Sequence, residues 1–547
     1  MSLGMSLGKS FGKSFGKSLG MSLGDELDWP NTDDGFLPLF VRHAAATPDR
    51  AFARFGRRPL TFGQLDRSAT GLAVWLRDKG VEPSDRVALM LRNGEAALAM
   101  MLAIGRVGAI WVPVNTQAVG DNLAYVLGHA EPRVVVADPD LLPAVSACGA
   151  KLGSPALSSA GILRQARAAL QRSDPAKCAF TAPPADAPFA IMYTSGTTGR
   201  PKGVLVSHRM LRLSGEAVAL ATAAGEGDVL YLWEPLFHIG GAQMLVLPLI
   251  RNVTLAIAER FSARRFWIDA SAAGTTHIHY LGGILQMLLQ QPPASIDRAH
   301  GVRIAWGGGC PRHVWPTFEA RFGVEVRECY GMTECSSITT INRSGTIGSV
   351  GRPVPWLAVA IIDAAGNPVG IGELGEIVVR ERLLGTLTRG YFREEEATLK
   401  SFQAGAFHTG DLACWDAAGN VYFRGRMGDS VRVMGENVTA AEVEEVARKH
   451  PAVEDCAMIG VAADIGEAEI KLFVLPKAGA HLRAHELANW LASRLARFQR
   501  PRYIAIVEEF ERTPSQRIMK HKLSRRIDDA WDAKAQASTP CRPQNRA

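Results

Sequence analysis

One segment stands out in the sequence, Tyr193-Thr194-Ser195-Gly196-Thr197-Thr198-Gly199-Arg200-Pro201-Lys202-Gly203. It follows the apolar run Phe189–Tyr193 and combines hydroxyl side chains, glycines and a lysine. Such a segment at the end of a strand can direct backbone N–H groups, hydroxyl donors and a cation at a polyphosphate. It is not a Walker A loop, because G-x-x-x-x-G-K-[ST] cannot be aligned with it. We therefore predict a phosphate-binding loop between a strand and a helix; the alternative is a Ser/Thr/Gly-rich surface loop.

On both sides of this loop, short β-rich runs alternate with amphipathic segments of helical length. This alternation predicts βαβ units and a largely parallel sheet, and hence an α/β fold. Ser207 is a suitable N-cap for a helix that begins at His208. Strands are predicted at Arg86–Leu91, Ala109–Val114, Arg133–Ala137, Phe189–Tyr193, Val229–Trp233, Val253–Ala258, His277–Tyr280 and Val302–Trp306.

The pattern changes after Leu357. Short strands joined by turn-rich segments up to Phe423 predict a small, antiparallel, barrel-like subdomain. The next hundred or so residues predict a compact α+β unit that forms a mobile lid domain. We therefore expect four parts: a low-complexity tail (1–24), a large N-terminal body (25–425), a small C-terminal lid (426–530) and a short tail (531–547).

Composition excludes several classes of function. The 547 residues include 61 Lys+Arg and 54 Asp+Glu, a net charge of +7 without a concentrated basic stripe, so no nucleic-acid binding is predicted. Eight cysteines without a C-x-x-C pair predict neither a zinc site nor a redox site, and they fit a reducing compartment. The apolar stretch Ala96–Val114 is interrupted by Arg106 and glycines, so no integral membrane association is expected. Six x-S-[LF]-G tetrads open the chain, which we interpret as a flexible tail of a cytoplasmic protein.

The loop resembles the phosphate loop of the adenylate-forming superfamily, which includes acyl- and aryl-CoA ligases, luciferases and peptide-synthetase adenylation domains. Further motifs follow in the order typical of that family. They are Phe237-His238-Ile239-Gly240-Gly241, Gly308-Gly309-Cys310-Pro311, Tyr330-Gly331-Met332-Thr333-Glu334, Thr409-Gly410-Asp411, Gly425-Arg426 and Gly435-Glu436-Asn437. Local similarity around Phe261–Trp267 and Tyr280–Gly283 is greatest to crotonobetaine/carnitine–CoA ligase-like members.

The resemblance implies a role for each motif. Residues of the loop would hold the β- and γ-phosphates of ATP, namely Thr194, Ser195, Gly196, Thr197, Thr198, Gly199 and Lys202. The adenine would lie between the turn Gly309-Cys310-Pro311 and the ring of Tyr330, and the ribose would bind Asp411 and Arg426. Thr333 would face the α-phosphate, Glu334 would bind Mg²⁺, and His238 would border the acid pocket. Ordinary structural roles compete: a core tyrosine at 330, an Asx-turn aspartate at 411, a core histidine at 238, and an N-cap followed by a solvated acid at 333 and 334.

Two positions depart from the family pattern. In the segment Arg512–Lys520, Arg517 occupies the register of the family's catalytic lysine. Either Arg517 replaces that lysine, or Lys520 one turn later reaches the site, or adenylation is impaired; we favour the first two possibilities. At the hinge, Gly428 and Asp429 follow the Gly-Arg pair, and a glycine there is compatible with a lid that rotates.

We therefore predict an ATP-dependent acid–thiol ligase that makes an acyl-CoA through an acyl-adenylate, with ATP, Mg²⁺ and CoA. The alternatives are a homologue impaired in adenylation and an acyl-AMP ligase that loads a separate carrier protein. In a second lid orientation, Gly435, Glu436 and Asn437 would face the pantetheine of CoA. The stretch His277–Leu289 is expected to line the acid pocket. A betaine-like cation would need a carboxylate partner that the sequence does not identify.

Overall fold

A computed structural model of the chain describes residues 30, 32–173, 178–194, 200–433, 436–462, 468–513 and 517–537. The expected tail at 1–24 lies outside the described residues. No described helix combines the length and the apolar character that crossing a membrane requires.

A six-stranded sheet carries the predicted phosphate loop. Its spatial order is β6-β5-β3-β4-β7-β8, and all neighbours are parallel except β7 and β8. Strands β3 to β5 are buried runs of Val, Ile, Leu and Ala, as expected for a parallel sheet covered on both faces. The strands are β3 Arg86–Met90, β4 Ile110–Pro113, β5 Val134–Ala137, β6 Leu157–Ser158, β7 Pro188–Thr194 and β8 Lys202–Ser207.

A nine-stranded sheet forms the second half of the body, in the order β15-β14-β13-β12-β11-β9-β10-β1-β2. Its central strands β9 to β13 and β1 are parallel, and antiparallel strands close both edges. The strands are β1 Ala51–Phe55, β2 Arg58–Thr61, β9 Val229–Leu232, β10 Thr254–Ile257, β11 His277–Leu281, β12 Ile304–Gly308, β13 Glu325–Tyr330, β14 Thr340–Ile341 and β15 Arg352–Pro353.

Helices cover both sheets. The helix His208–Thr222 is buried along almost its whole length, and it is capped by Ser207, whose side chain accepts a hydrogen bond from the N–H of Met210. The prediction of this cap is confirmed. The helices of the body are α1 Leu37–Ala46, α2 Phe62–Asp78, α3 Glu95–Val107, α4 Gly120–Ala130, α5 Leu142–Ala147, α6 Ile162–Arg172, α7 His208–Thr222, α8 Ile239–Ala242, α9 Leu247–Ile250, α10 Phe266–Ala272, α11 Ile284–Gln290, α12 Val314–Phe322 and α13 Glu395–Ser401.

The predicted antiparallel subdomain is present as a five-stranded sheet. Its order is β16-β17-β19-β18, and β20 pairs with β19, with every pairing antiparallel. The strands are β16 Leu357–Ile362, β17 Gly375–Glu381, β18 Phe402–Gln403, β19 Ala406–Trp415 and β20 Val421–Arg426.

The C-terminal unit has its own apolar core. A four-stranded sheet, β23-β24-β25-β26, packs against two helices, and a hairpin of β21 and β22 precedes it. Trp531 and Asp532, placed in the C-terminal tail by the sequence analysis, pair with Ile504 and Tyr503. The elements are β21 Ser430–Val433, β22 Glu436–Thr439, α14 Ala440–Ala447, β23 Val453–Ala462, β24 Ala468–Pro476, α15 Ala484–Ala492, β25 Tyr503–Ile506, β26 Trp531–Asp532 and α16 Ala533–Ala537.

One local prediction is wrong. The phosphate loop does not lead directly from a strand into a helix, because Lys202–Ser207 is a strand that pairs antiparallel with Pro188–Thr194. The sequence analysis missed this strand because Arg200-Pro201-Lys202 reads as the end of a loop. The two strands on either side of the predicted loop therefore pair with each other, and the helix begins only at His208.

We expect Ser207→Ala to destabilise the protein by about 1 kcal/mol, because the N–H of Met210 loses its acceptor at the start of a buried helix. Urea unfolding followed by tryptophan fluorescence measures this change. Ser207→Asp, which keeps an acceptor, serves as the control and should stay near the wild type. Equal loss in both variants would contradict the capping role.

Candidate active site

The hairpin fixes both ends of the phosphate loop. Thr194 and Lys202 are register partners, and the hydroxyl of Thr194 donates to the carbonyl of Lys202 over 3.5 Å. Beside them, the hydroxyl of Tyr193 lies 2.8 Å from Nδ1 of His129. The predicted residues Ser195, Gly196, Thr197, Thr198 and Gly199 lie outside the described residues.

Lys202 and Glu334 lie on either side of Tyr391. The ammonium of Lys202 is 4.8 Å from the centre of the Tyr391 ring, and the hydroxyl of that ring donates to Oε1 of Glu334 over 3.1 Å. Burial raises the pKa of Glu334, while Tyr391, Arg426 and Lys202 oppose the shift. The predicted metal ligand is thus a buried carboxylate, not a solvated acid.

A tight turn presents Thr333 and Glu334. Gly331 precedes it, and a Cβ at that position would lie 1.8 Å from the carbonyl oxygen of Ser337, so only glycine fits. The segment Thr333–Cys335 forms a short 3₁₀ helix, and the N–H of Thr388 donates to the Glu334 carbonyl over 2.8 Å. Thr333 is buried in this turn.

The predicted ribose residues meet at the junction of two strands. Asp411 and Arg426 are register partners, and Nε of Arg426 lies 3.3 Å from Oδ1 of Asp411. The hydroxyl of Tyr330 donates to Oδ2 of Asp411 over 2.8 Å, and its ring stacks on Phe423 with the centroids 5.7 Å apart. The structure therefore brings Tyr330, Asp411 and Arg426 together, as the resemblance implies.

The turn predicted to contact adenine is held by a residue that sequence reasoning missed. Glu328 is buried and accepts hydrogen bonds from the N–H groups of Gly309 (2.5 Å) and Cys310 (3.2 Å), and from the hydroxyl of Tyr280 (2.5 Å). Pro311 follows directly in the same turn. Burial raises the pKa of Glu328 to about 7, although these donors oppose the shift. An acid inside the otherwise apolar end of a strand is the signal that could have identified it.

Three further groups lie in or next to the segments that are predicted to border the acid pocket. His238 precedes α8, and burial lowers its pKa, which favours the neutral imidazole. Glu234 and His279 are both buried, with Nδ1 of His279 2.9 Å from Oε2 of Glu234. Sequence reasoning missed Glu234 because it directly follows the apolar run that was predicted as a strand.

Arg517 reaches the cleft from a hairpin of the lid. The N–H of Thr513 donates to the Arg517 carbonyl over 2.8 Å, and the N–H of Arg517 donates to the Thr513 hydroxyl over 3.1 Å. Although part of its side chain stays open to solvent, desolvation lowers the pKa of Arg517; Arg426 lowers it further, while Asp411 and Glu234 raise it. A guanidinium remains charged under such shifts. The charges that influence the pKa of Arg517 therefore include the predicted ribose residues Asp411 and Arg426 as well as Glu234.

Lys520 has a different environment. Its ammonium lies 2.8 Å from Oε1 of Glu444, which also accepts the N–H of Met458 over 2.8 Å. This arrangement places Lys520 against α14 and β23 within the lid. Of the two candidates that the sequence left open, Arg517 has a pKa influenced by the predicted ribose residues Asp411 and Arg426, whereas Lys520 pairs with Glu444.

The predicted hinge residue Gly428 lies in the 3₁₀ segment Met427–Asp429, and no heavy atom outside its immediate neighbours lies within 4 Å of a Cβ placed there. Of the predicted CoA-side turn, Gly435 lies outside the described residues. The backbones of Glu436 and Asn437 begin β22, where they pair with Val433 and Arg432. Their predicted roles remain predictions.

Comparison with known proteins identifies the class. A model of the AMP-binding enzyme family matches residues 40–392, and a model of the C-terminal domain of AMP-binding enzymes matches residues 442–517. The first match covers more than half of the chain. This chain belongs to the AMP-binding enzyme family.

Individual relatives narrow the class to CoA ligases. The chain is 33% identical to a medium/long-chain-fatty-acid–CoA ligase of Mycobacterium tuberculosis, over 90% of this chain and 86% of that protein. It is 31% identical to a sulfoacetate–CoA ligase of Cupriavidus necator, over 90% of this chain and 98% of that protein. It is 28% identical to a crotonobetaine/carnitine–CoA ligase of Salmonella paratyphi A, over 85% of this chain and 93% of that protein. ATP-bound MatB from Rhodopseudomonas palustris is similar in structure, with a TM-score of 0.80 and 28% identity, over 89% of this chain and 97% of that chain.

These findings confirm the predicted adenylate-forming family, the α/β fold with a separate C-terminal unit, and ATP-dependent acid–CoA ligation through an acyl-adenylate. None of them favours either alternative function.

The residues present fit magnesium bound together with a nucleotide. Among the described residues, no group of three or more His, Cys, Asp or Glu side chains is arranged to hold a metal ion. Mg²⁺ typically takes one or two protein carboxylates and completes its shell with phosphates and water. Glu334 is a buried carboxylate close to Lys202, so it is suited to be that single protein ligand.

Glu328 makes a pH-dependent contribution to stability that can be measured. Its pKa of about 7 in the folded state exceeds the ordinary 4.5, so folding favours the protonated form. As the pH rises from about 4.5 to about 7, the wild type should lose stability relative to Glu328→Gln, by up to roughly 3 kcal/mol. Urea unfolding of both proteins between pH 5 and pH 8 measures this difference. Parallel pH profiles would show that Glu328 titrates normally.

Proposed function

We propose that this cleft joins a carboxylic acid to CoA in two steps and that Arg517 supplies the positive charge that a lysine supplies in most of the family. The position of Arg517 carries the proposal, since its guanidinium lies within electrostatic range of Asp411, Arg426 and Tyr330. Arginine keeps its charge and can bind phosphate through two parallel N–H donors.

In the first step, a carboxylate oxygen of the acid attacks the α-phosphorus of ATP. The new P–O bond forms as the bond to pyrophosphate breaks, and pyrophosphate leaves with that electron pair. Both reactants are anionic, so fixed cations and donors must offset their repulsion. Lys202 and Arg517 provide the charges, and Thr333 offers a hydroxyl beside them. Mg²⁺ bound at Glu334 would further neutralise the phosphate oxygens.

Asp411 and Arg426 fix the nucleotide for this attack. The Asp411 carboxylate accepts hydrogen bonds from ribose hydroxyls, and its contacts with Tyr330 and Arg426 keep it in place. The turn held by Glu328 supports the base from the other side. Fixed geometry of this kind lowers the activation free energy, because the entropy of orienting the reacting atoms is already lost when the substrates bind.

In the second step, the thiolate sulfur of CoA attacks the acyl carbonyl carbon, and the bond to AMP breaks. The thiol proton passes to solvent, and AMP leaves as its phosphate dianion. Rotation of the lid about Gly428 removes Arg517 from the cleft and brings the turn at 435–437 to the pantetheine. Arg517 therefore serves the first step only.

We expect Arg517→Ala to lower acid-dependent pyrophosphate exchange by at least about a hundredfold, because the transition state loses a cation. Lys520→Ala should stay within about threefold of wild type in this assay, since Lys520 pairs with Glu444. Arg517→Lys, which keeps a point charge, should recover part of the lost activity. If Lys520→Ala alone abolishes exchange, our assignment of the two residues is wrong.

The hinge is tested by comparing the two half-reactions. We expect Gly428→Pro to retain pyrophosphate exchange within about threefold but to slow thioester formation by at least about tenfold, because proline fixes φ and restricts rotation. Gly428→Ala is the control, and the open space around this position accommodates its methyl group. An equal loss in both half-reactions for Gly428→Pro would exclude Gly428 as the hinge.

A further inference from the structure

The strand that carries the predicted ribose carboxylate departs from regular pairing at that point. Val378 of β17 pairs with His408 of β19. The next pair, two residues earlier in β17, joins Glu376 to Leu412. Strand β17 has one residue between these two pairs, whereas β19 has three, the segment Thr409–Asp411. This segment is therefore a bulge, a feature that redirects a side chain and is common next to active sites.

The backbone of this bulge is held by side chains. A bulge interrupts the hydrogen bonds between strands, so its N–H groups need other acceptors. The N–H of Gly410 donates to Oε1 of Glu376 over 2.9 Å. The N–H of Asp411 donates to the hydroxyl of Thr409 over 3.1 Å, and that hydroxyl donates to the carbonyl of Ile377 over 2.7 Å. The carboxylate of Glu376 thus replaces a backbone acceptor that the irregular register removes.

Glu376 is itself fixed by a second side chain. Nδ1 of His408 lies 2.8 Å from Oε2 of Glu376, and Oε1 is the oxygen that accepts the N–H of Gly410. The side chains of His408 and Glu376 are 21% and 16% exposed, so water screens this contact only in part. With the proton on Nδ1, the ring donates to the carboxylate and sets its direction, because a hydrogen bond to a charged group is strong.

The bulge determines where the Asp411 carboxylate lies. Asp411 is 3% exposed, and its carboxylate contacts the hydroxyl of Tyr330 and Nε of Arg426. These two contacts orient the side chain, but the position of its backbone depends on the bulge. A backbone shift of ~1 Å would take the carboxylate oxygens out of hydrogen-bond range of a ribose that the rest of the cleft holds in place.

We infer that Glu376 and His408 are positioning residues for the nucleotide, because together they fix the bulge from which Asp411 reaches the ribose hydroxyls. The inference rests on the proposed function, in which Asp411 binds the ribose. Both residues act through the backbone at Gly410 and Asp411 and do not touch the nucleotide. Their loss therefore weakens the contact with the ribose hydroxyls and leaves the contacts with the phosphates in place.

A nucleotide that lacks both ribose hydroxyls tests the inference without a known acid. ATP and 2′,3′-dideoxy-ATP are titrated with Mg²⁺ into the full-length protein, and isothermal titration calorimetry gives the two values of Kd. We expect the wild type to bind ATP at least about tenfold more tightly than dideoxy-ATP, since hydrogen bonds to a charged group are lost. Asp411→Ala should bring this ratio to within about threefold of one, because the acceptor itself is gone.

The variants at Glu376 measure its contribution. In Glu376→Ala, the Kd of ATP should rise at least about fivefold while that of dideoxy-ATP changes less than about twofold, since only ATP uses the contact that the bulge positions. Glu376→Gln keeps an acceptor for Gly410, so its ratio should lie between those of the wild type and Glu376→Ala. Glu373→Ala is the matched control and should keep the wild-type ratio, because Glu373 accepts the N–H of another glycine, Gly370, over 2.7 Å in the same subdomain.

The variants at His408 give a second, independent test. His408→Ala should lower the ratio at least about twofold, because the Glu376 carboxylate loses the donor that orients it. In His408→Asn, the amide nitrogen can donate from the position of Nδ1, so this variant should have a ratio closer to that of the wild type. Thermal melting of each variant checks that it is folded, and the His408 variants decide the outcome if Glu376→Ala does not fold.

The two proposals fail in different ways. If Asp411→Ala abolishes the preference for ATP but the folded Glu376 and His408 variants keep the wild-type ratio, the inference is overturned and the ligase function stands. Equal weakening of both nucleotides in Glu376→Ala would also overturn it, because that result indicates a general loss of structure. If the wild type shows no preference for ATP, or if Asp411→Ala retains it, the proposed ribose site is wrong and the inference falls with it.

Discussion

The cleft depends on one electrostatic constraint, the burial of carboxylates next to the position of a highly charged nucleotide. Asp411, Glu328 and Glu334 are all buried, and each would repel a triphosphate if it stood alone. Each is instead held by donors: Tyr330 and Arg426 at Asp411, backbone N–H groups at Glu328, and Tyr391 at Glu334. In the proposed mechanism, these contacts turn acids that would repel ATP into fixed acceptors for ribose, support for a turn and a ligand for magnesium.

The same constraint explains why the lid carries a cation. The body supplies Lys202 and Arg426, but both lie beside buried carboxylates that offset part of their charge. Arg517 comes from a separate hairpin of the lid, so in the proposed mechanism its charge is added for adenylation and removed afterwards. A guanidinium is a reasonable choice for this position, because it keeps its proton even where the protein displaces water from it.

Much of this arrangement could be predicted from the sequence, and the exceptions have physical causes. The parallel strands were predictable because their buried runs leave a clear apolar pattern, and the cap at Ser207 because it uses a local rule. The strand Lys202–Ser207 was missed because its pairing with Pro188–Thr194 is a tertiary contact, and because Arg200-Pro201 is typical of a loop. The assignment between Arg517 and Lys520 required the position of Glu444, which is 76 residues from Lys520 in the chain.

The environment of Glu234 likewise could not be predicted from the sequence. Its type and position in the sequence suggest only a polar residue after a strand. The buried environment of its carboxylate depends on His279, which belongs to a neighbouring strand, and on the absence of a side chain at Gly240. Family membership defines the nucleotide chemistry, since ATP is common to all members. The acid differs between relatives that act on fatty acids, sulfoacetate and carnitine-type acids. Specificity therefore has to be sought in side chains that the shared reaction does not require.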